Sequence, residues 1–147
     1  MSGQERPTRP MRSGYTQFVP ISTRWIDNDV YGHINNAVYY SFFDTAVNQM
    51  LVEAHVLNPI SDNIVGLVVD TRCTYFGSVS FPDSLEVGIR VEHIGRTSVR
   101  YDLAVFKVGD ELADARGAFT HVYVSRATQT PVPIPLDVMA VLKKLHT

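Results

Sequence analysis

Tyr39, Phe42, Phe43, Ala46, Val47, Met50, Leu51 and Ala54 recur at spacings of three and four, the strongest periodic signal in the chain. That rhythm places all eight on one face of a single helix, which must bury its stripe against something else. The surrounding sequence offers only strands for the purpose. From Tyr15 to Trp25 the chain is rich in aromatic and β-branched residues and reads as a first strand, with Pro20 marking an edge or a bulge. Four strand-like runs follow the helix: Val65 to Phe76, Leu85 to Ile94, Ser98 to Val108 and Ala113 to Ser125. Glycine turns in "IGRTS" and "VGDE" make the last three an antiparallel meander. After "TPVPIP", Leu136, Met139, Leu142 and Leu145 mark a short amphipathic helix. The expected architecture is α+β, a five-stranded antiparallel sheet wrapped around one long helix. Such a sheet leaves an edge strand in need of protection, so a homodimer at least is expected.

A chain of 147 residues suits one domain with one real core. The expected division is a disordered tail over residues 1–14, where charges, prolines and glycines precede any apolar run, and a single domain over 15–147. That tail lacks the apolar centre of a secretory signal. No segment approaches the roughly 20 apolar residues of a membrane-spanning helix. With 13 basic and 15 acidic residues, the charge balance gives no reason to expect nucleic acid or an anionic membrane as partner. Cys73 is the only cysteine, so no disulfide forms within the chain, and a cytoplasmic location is expected. Cys73 itself reads as a small apolar strand residue rather than a nucleophile.

The informative polar stretch is "RWIDNDVYGHINNAVYYSFFDTA", Arg24 to Ala46, which sets two acids, a histidine and two asparagines at the entrance to the buried helix. Asn35 or Asn36 is suited to cap it. A helix N-terminus carries unpaired N–H groups and the positive end of the helix dipole, so it can hold a developing oxyanion. A nearby carboxylate can then serve as base or as nucleophile. Asp27 and Asp29 are both candidates, with Asp27 also placed to pair with Arg24. Gly32 is either a plain turn glycine or a residue that lets the chain approach a ligand closely. His33 either ties the loop to the helix or positions the acid or a water.

"DNDVYGHINNAVYY" after a strand and before an aromatic-faced helix resembles the hotdog-fold acyl-CoA thioesterases of the 4-hydroxybenzoyl-CoA thioesterase type. The resemblance extends to "FPDSLEV", "IGRTSV" and "PVPIP", and so to nearly the whole chain after the tail. It implies dimers paired edge to edge, or dimers of these dimers, with each active site at a subunit interface. It implies Asp29 as the catalytic carboxylate and Asn36 as the residue whose backbone N–H meets the thioester carbonyl. Gly32 and His33 complete the catalytic set. Asn35, Tyr39 and the turn residues Arg96, Thr97 and Ser98 are the expected substrate contacts. No cofactor is implied, since coenzyme A is part of the substrate.

Other residues add less. Arg90, Arg96, Arg100 and Lys107 are available to meet the phosphates of coenzyme A. Asp44 lies at the margin of the helix stripe, where a structural bond is expected, with Arg72 a possible partner. His33, His55, His93, His121 and His146 are dispersed and show no zinc spacing, and no GxSxG elbow is present. In "YFGSVSFPD" relatives commonly carry a proline, and Gly77 and Ser78 here are expected to loosen that loop. Two alternatives remain beside hydrolysis: a hotdog hydratase or dehydratase, and a non-catalytic acyl-CoA binder. "GHINN" lacks the proline-glycine step of the dehydratase motif.

Overall fold

In a computed structural model that describes residues 6–146, five strands and two α-helices follow in order. They are β1 (Gln17–Ser22), α1 (Val38–Glu53), β2 (Ile64–Tyr75), β3 (Ser84–Ile94), β4 (Ser98–Lys107), β5 (Ala115–Ser125) and α2 (Leu136–Leu145). The strands form one antiparallel sheet in the order β1-β3-β4-β5-β2. This is the five-stranded sheet around one long helix that the sequence led us to expect, the hotdog architecture. Among the described residues no helix is long and apolar enough to cross a membrane.

The core lies between α1 and one face of the sheet. Phe42, Phe43, Ala46, Val47, Met50 and Leu51 project from the helix onto alternate strand positions such as Val99, Tyr101, Leu103 and Phe119. Gly117 of β5 is required by this packing, because a Cβ there would stand 2.3 Å from the Phe43 ring. Pro20 lies on β1, at one edge of the sheet. The first strand is shorter than expected, because a single helical turn at Trp25–Asp27 diverts the chain after Ser22.

Residues 1–5 of the tail expected over 1–14 lie outside the described residues. Residues 9–14 lie along the sheet's other face. There the Arg9 Nε donates to the Ala113 carbonyl at 2.7 Å and the Arg12 Nε to that of Asp110 at 2.8 Å. The Arg12 guanidinium also stacks on Phe18 and Phe106. This arm explains why most of β4 is buried on both faces.

Pairing fixes what each end of the sheet carries. Ser22 pairs with Ser84, so the loop into α1 leaves beside the start of β3 and the end of β2. Ile64 pairs with Ser125 and Ser98 with Val122, so the opposite end holds the start of β2, the end of β5 and the β3–β4 turn. At about 3.3 Å per strand residue, the two ends stand roughly 30 Å apart.

Candidate functional site

The polar stretch folds as a small hairpin in front of α1. Asp27 opens it: its carboxylate accepts from the Arg24 backbone N–H and from the Arg24 guanidinium, each at 2.8 Å, and it is buried. The Asn35 N–H then donates to the Asp27 carbonyl at 2.9 Å, and the Asp29 N–H to that of His33 at 2.8 Å. Of the two acids, Asp27 therefore holds the loop together, as the pairing with Arg24 foreshadowed. Asp29 sits at the turn, half-exposed, accepting on Oδ1 from the Tyr31 N–H at 2.9 Å and more distantly from that of His33 at 3.4 Å. Its Oδ2 takes no hydrogen bond from any described residue.

Gly32 adopts φ +80° at the tip of this turn, with nothing within 4 Å of where a Cβ would be. The turn conformation therefore requires glycine here, while the space beside it stays open. His33 is exposed and contributes its backbone to the hairpin. Four apolar side chains of the same stretch, Trp25, Ile26, Val30 and Tyr31, are exposed.

The helix start differs from the expected cap. Ala37 occupies the N-cap position and offers no side-chain bond, while Asn35 acts earlier, its Oδ1 accepting from the Ala37 N–H at 2.9 Å. Asn36 uses its carbonyl to accept from the Tyr75 hydroxyl at 2.7 Å, and its N–H meets no acceptor among the described residues. The first turn of α1 contains no acid, so nothing within it offsets the positive end of the dipole.

The segment after β2 is pinned rather than loosened. The Gly77 N–H donates to the Asp114 carbonyl at 3.1 Å, and a Cβ at Gly77 would stand 2.3 Å from the Asp114 carboxylate. Val79 is buried and its carbonyl accepts from the Ile34 N–H at 2.9 Å, while the Phe81 N–H donates to the Asn28 side chain at 3.0 Å. These bonds hold the Asp29 hairpin against the sheet.

The remaining named residues divide. Tyr39 is buried beneath Tyr75, ring centroids 4.9 Å apart, and burial pushes its hydroxyl up to about 12. Arg96, Thr97 and Ser98 form the turn at the far end of the sheet, where the Thr97 carbonyl accepts from the Tyr123 N–H. One chain thus gathers Asp29, Gly32, His33, Asn35 and Asn36, and sets Arg96, Thr97 and Ser98 apart from them. Asp44 is exposed and bonds the Asn48 side chain one turn on, rather than Arg72. Burial pushes the Cys73 thiol up to about 11, away from thiolate chemistry. Arg90 and Arg100 are engaged in ion pairs, with Asp102 and with Asp70 and Glu92. Among the described residues no group of three or more His, Cys, Asp or Glu side chains is placed to hold a metal ion.

A further feature has no counterpart in the sequence expectations. A cavity of about 590 Å³ opens between the C-terminal half of α1, the start of β2, the end of β5 and the start of α2. Leu51, Val56, Ile64 and Leu67 line it, together with His121 and Tyr123. His121 is only 2% exposed, and its Nδ1 has no hydrogen-bond partner. The available signal was register: His121 alternates with Phe119 and Tyr123, which places it on the helix-facing side of β5.

Comparison with known proteins agrees with this geometry. Residues 31–113 match the Thioesterase superfamily, and the chain belongs to that superfamily. The match begins at Tyr31, so Asp29 lies just before it. The crystal structure of the PA5185 protein from Pseudomonas aeruginosa strain PAO1 is 48% identical, with a TM-score of 0.93 over 95% of this chain and 98% of that one. The fold is shared with a 1,4-dihydroxy-2-naphthoyl-CoA thioesterase from Synechocystis (17% identity, TM-score 0.78, covering 87% and 96% of the two chains). It is shared also with the dynemicin thioesterase (16% identity, TM-score 0.81, covering 88% and 96%). No curated protein matches significantly.

Proposed function

We propose that this protein is an acyl-CoA thioesterase of the 4-hydroxybenzoyl-CoA thioesterase type, which hydrolyses a small-molecule acyl-CoA to the free acid and coenzyme A. The observation that carries the proposal is a half-exposed carboxylate with a free oxygen, Asp29, on the same hairpin as the unpaired N–H of Asn36 at the start of α1. The Asn36 N–H and the helix dipole stabilise the charge growing on the thioester oxygen, a contribution worth about 3 to 4 kcal/mol for one preorganised donor. Asp29 takes a proton from water as the water oxygen bonds to the carbonyl carbon, or attacks that carbon itself to give a mixed anhydride that water then cleaves. In either case the carbon–sulfur bond breaks and coenzyme A leaves as its thiol. Single turnover in heavy-oxygen water separates the two routes, since only the second can leave label in Asp29.

The working unit in this reading is a homodimer joined through β2. That strand is a 12-residue sheet edge presenting Leu67, Val68 and Val69, which are 41%, 43% and 61% exposed. A long apolar edge of this kind is stable in water only when covered, and a second copy offers an identical strand. Antiparallel pairing of the two β2 strands would lay the Ile64 end of one beside the Tyr75 end of the other. The Arg96–Ser98 turn of one chain would thereby approach the Asp29 hairpin of its partner. The single cysteine is in keeping with a cytoplasmic setting.

The test is release of free coenzyme A, followed with a thiol reagent, across short, medium, long and aromatic acyl-CoAs, with Asp29→Asn beside the wild type. Turnover by the wild type that disappears in the folded variant is the expected result. Absence of thiol release from every substrate would overturn the assignment in favour of an acyl-CoA binder or a hydratase.

A further inference from the structure

We propose that Tyr75, at the end of β2, is a positioning residue: its hydroxyl grips the backbone at Asn36 and so aims the Asn36 N–H at the carbonyl oxygen of a bound thioester. The role of that N–H as oxyanion donor rests on the thioesterase reading. The Tyr75 hydroxyl donates to the Asn36 carbonyl at 2.7 Å, across 39 residues of sequence. A carbonyl can only accept, so the direction of the bond is fixed. Ala37 is the N-cap, which leaves the Asn36 carbonyl one residue too early to accept from within α1. Tyr75 supplies the donor that the helix does not.

Asn36 joins two peptide groups, and both are held. In the peptide before it, the Asn35 carbonyl accepts from the Val38 N–H at 2.9 Å. A trans peptide is planar and its C=O and N–H point opposite ways, so the Asn36 N–H points away from the helix. The peptide after it is gripped at both ends, its N–H by the Asn35 Oδ1 at 2.9 Å and its carbonyl by Tyr75. The bonds with Val38 and Asn35 lie within the turn and move with it. Of these three, only the Tyr75 bond reaches the turn from the sheet.

Tyr75 is itself anchored. It pairs with Ala115 at the last position of β2, and the next two N–H groups, of Phe76 and Gly77, donate to the Asp114 carbonyl at 2.8 and 3.1 Å. Its ring meets that of the buried Tyr39 edge to face, with centroids 4.9 Å apart. Partial burial pushes the hydroxyl well above its ordinary pKa, so it stays protonated and able to donate. An oxyanion donor acts at full strength only when aligned, and a displacement of about 1 Å can cost about a hundredfold in rate. Deleting the hydroxyl releases the turn and leaves the ring packing in place.

The test is Tyr75→Phe, which keeps the ring and deletes the hydroxyl, with kcat and KM measured separately on acetyl-, decanoyl- and benzoyl-CoA. The expected result is a kcat lowered by about tenfold to a hundredfold on whichever of these the wild type hydrolyses. KM should stay nearly unchanged, because the oxyanion charge exists only in the transition state. An infrared band gives a readout independent of turnover: the carbonyl stretch of the same thioesters bound to Asp29→Asn, with and without Tyr75→Phe. Polarisation by an aligned N–H lowers that frequency, and Tyr75→Phe should return it toward its value in free solution. An unchanged kcat, a loss seen only in KM, or a lower kcat with the band unmoved would each overturn the inference and leave the thioesterase reading standing. No hydrolysis by the wild type, together with a band that shifts on loss of the hydroxyl, would support the inference and sink the thioesterase reading. No hydrolysis with a band indifferent to Tyr75, or with no binding at all, sinks both. If Tyr75→Phe does not fold, a trifluorotyrosine installed at position 75 decides, since its more acidic hydroxyl ionises and stops donating at a lower pH. A kcat that falls with rising pH where the wild type holds level supports the inference, and matching profiles overturn it.

Discussion

Two carboxylates on opposite faces of this molecule meet very different surroundings. On the outer face of the sheet Asp102 is 4% exposed, and Oδ1 accepts from the Tyr15 hydroxyl at 3.1 Å and Arg116 Nε at 3.0 Å. Its Oδ2 accepts from Arg116 Nη2 at 2.8 Å and from the Arg90 guanidinium. Burial alone would raise its pKa, but the bonds from Arg116 and Arg90 outweigh that and hold it below the usual carboxylate value. In the hairpin before α1, Asp29 accepts only backbone N–H groups on one oxygen and keeps the other free. A carboxylate with every lone pair engaged has no capacity left for chemistry and acts as a strut. One held in place by a single oxygen is oriented and still able to react.

The sharpest way to break that contrast is to neutralise each acid. Asp29→Asn should lower kcat by about a hundredfold to ten-thousandfold, the span of a lost acid–base group, while the urea midpoint stays near that of the wild type. Asp102→Ala should do the reverse. It leaves two guanidinium groups without their shared partner and should destabilise by about 3 kcal/mol, read from urea unfolding, with kcat per folded molecule kept. A large activity loss in Asp102→Ala at full stability would erase the distinction.

pH sharpens the comparison further. His121 is buried, neutral and unpaired, with its folded pKa lowered to about 4 from an ordinary 6.5, so protons bind the unfolded chain better over that interval. Its contribution is therefore present above pH 6.5 and lost as pH falls toward 4, on the order of 3 kcal/mol in total. His121→Phe should remove that slope from a series of unfolding curves. Asp102 behaves differently, because a lowered carboxylate pKa gives stability that is present above about 3.9 and lost only as pH falls through the folded value. Between pH 6.5 and 5, then, His121 should titrate the fold while Asp102 does not. The smallest effect belongs to Asn35→Ala, which removes one bond to the Ala37 N–H and should lower stability by about 1 kcal/mol.

Much of this was legible before the structure. The helix stripe from Tyr39 to Leu51 and the four later strand runs appeared within a residue or two of their observed limits, because burial on one face imposes its period directly on the sequence. The hairpin of Asp29, Gly32 and His33 was legible as a cluster because its bonds are local. Three features were not. The pairing of Asp102 with Tyr15, Arg90 and Arg116 joins four segments of chain, and spacing carries no trace of it. Asn35 or Asn36 was expected at the helix cap, but the N-cap falls at Ala37 and Asn35 bonds the Ala37 N–H from two residues before it, since a turn preceding the helix uses the same side-chain chemistry as a cap. Gly77 was read as loosening a loop that Asp114, Val79 and Phe81 in fact tie down.

The sequence by itself determined the elements, their order and the one polar cluster at the door of the helix. Each is written in residues close together along the chain, where periodicity and local hydrogen bonding act. The tertiary structure decided which of two adjacent acids is sequestered by Arg24 and which keeps an open oxygen. It also decided that the Arg96–Ser98 turn stands at the far end of the sheet, and that His121 faces a cavity instead of solvent. Those outcomes depend on which strands become neighbours, and strand order is fixed by burial across the whole sheet rather than by any single segment.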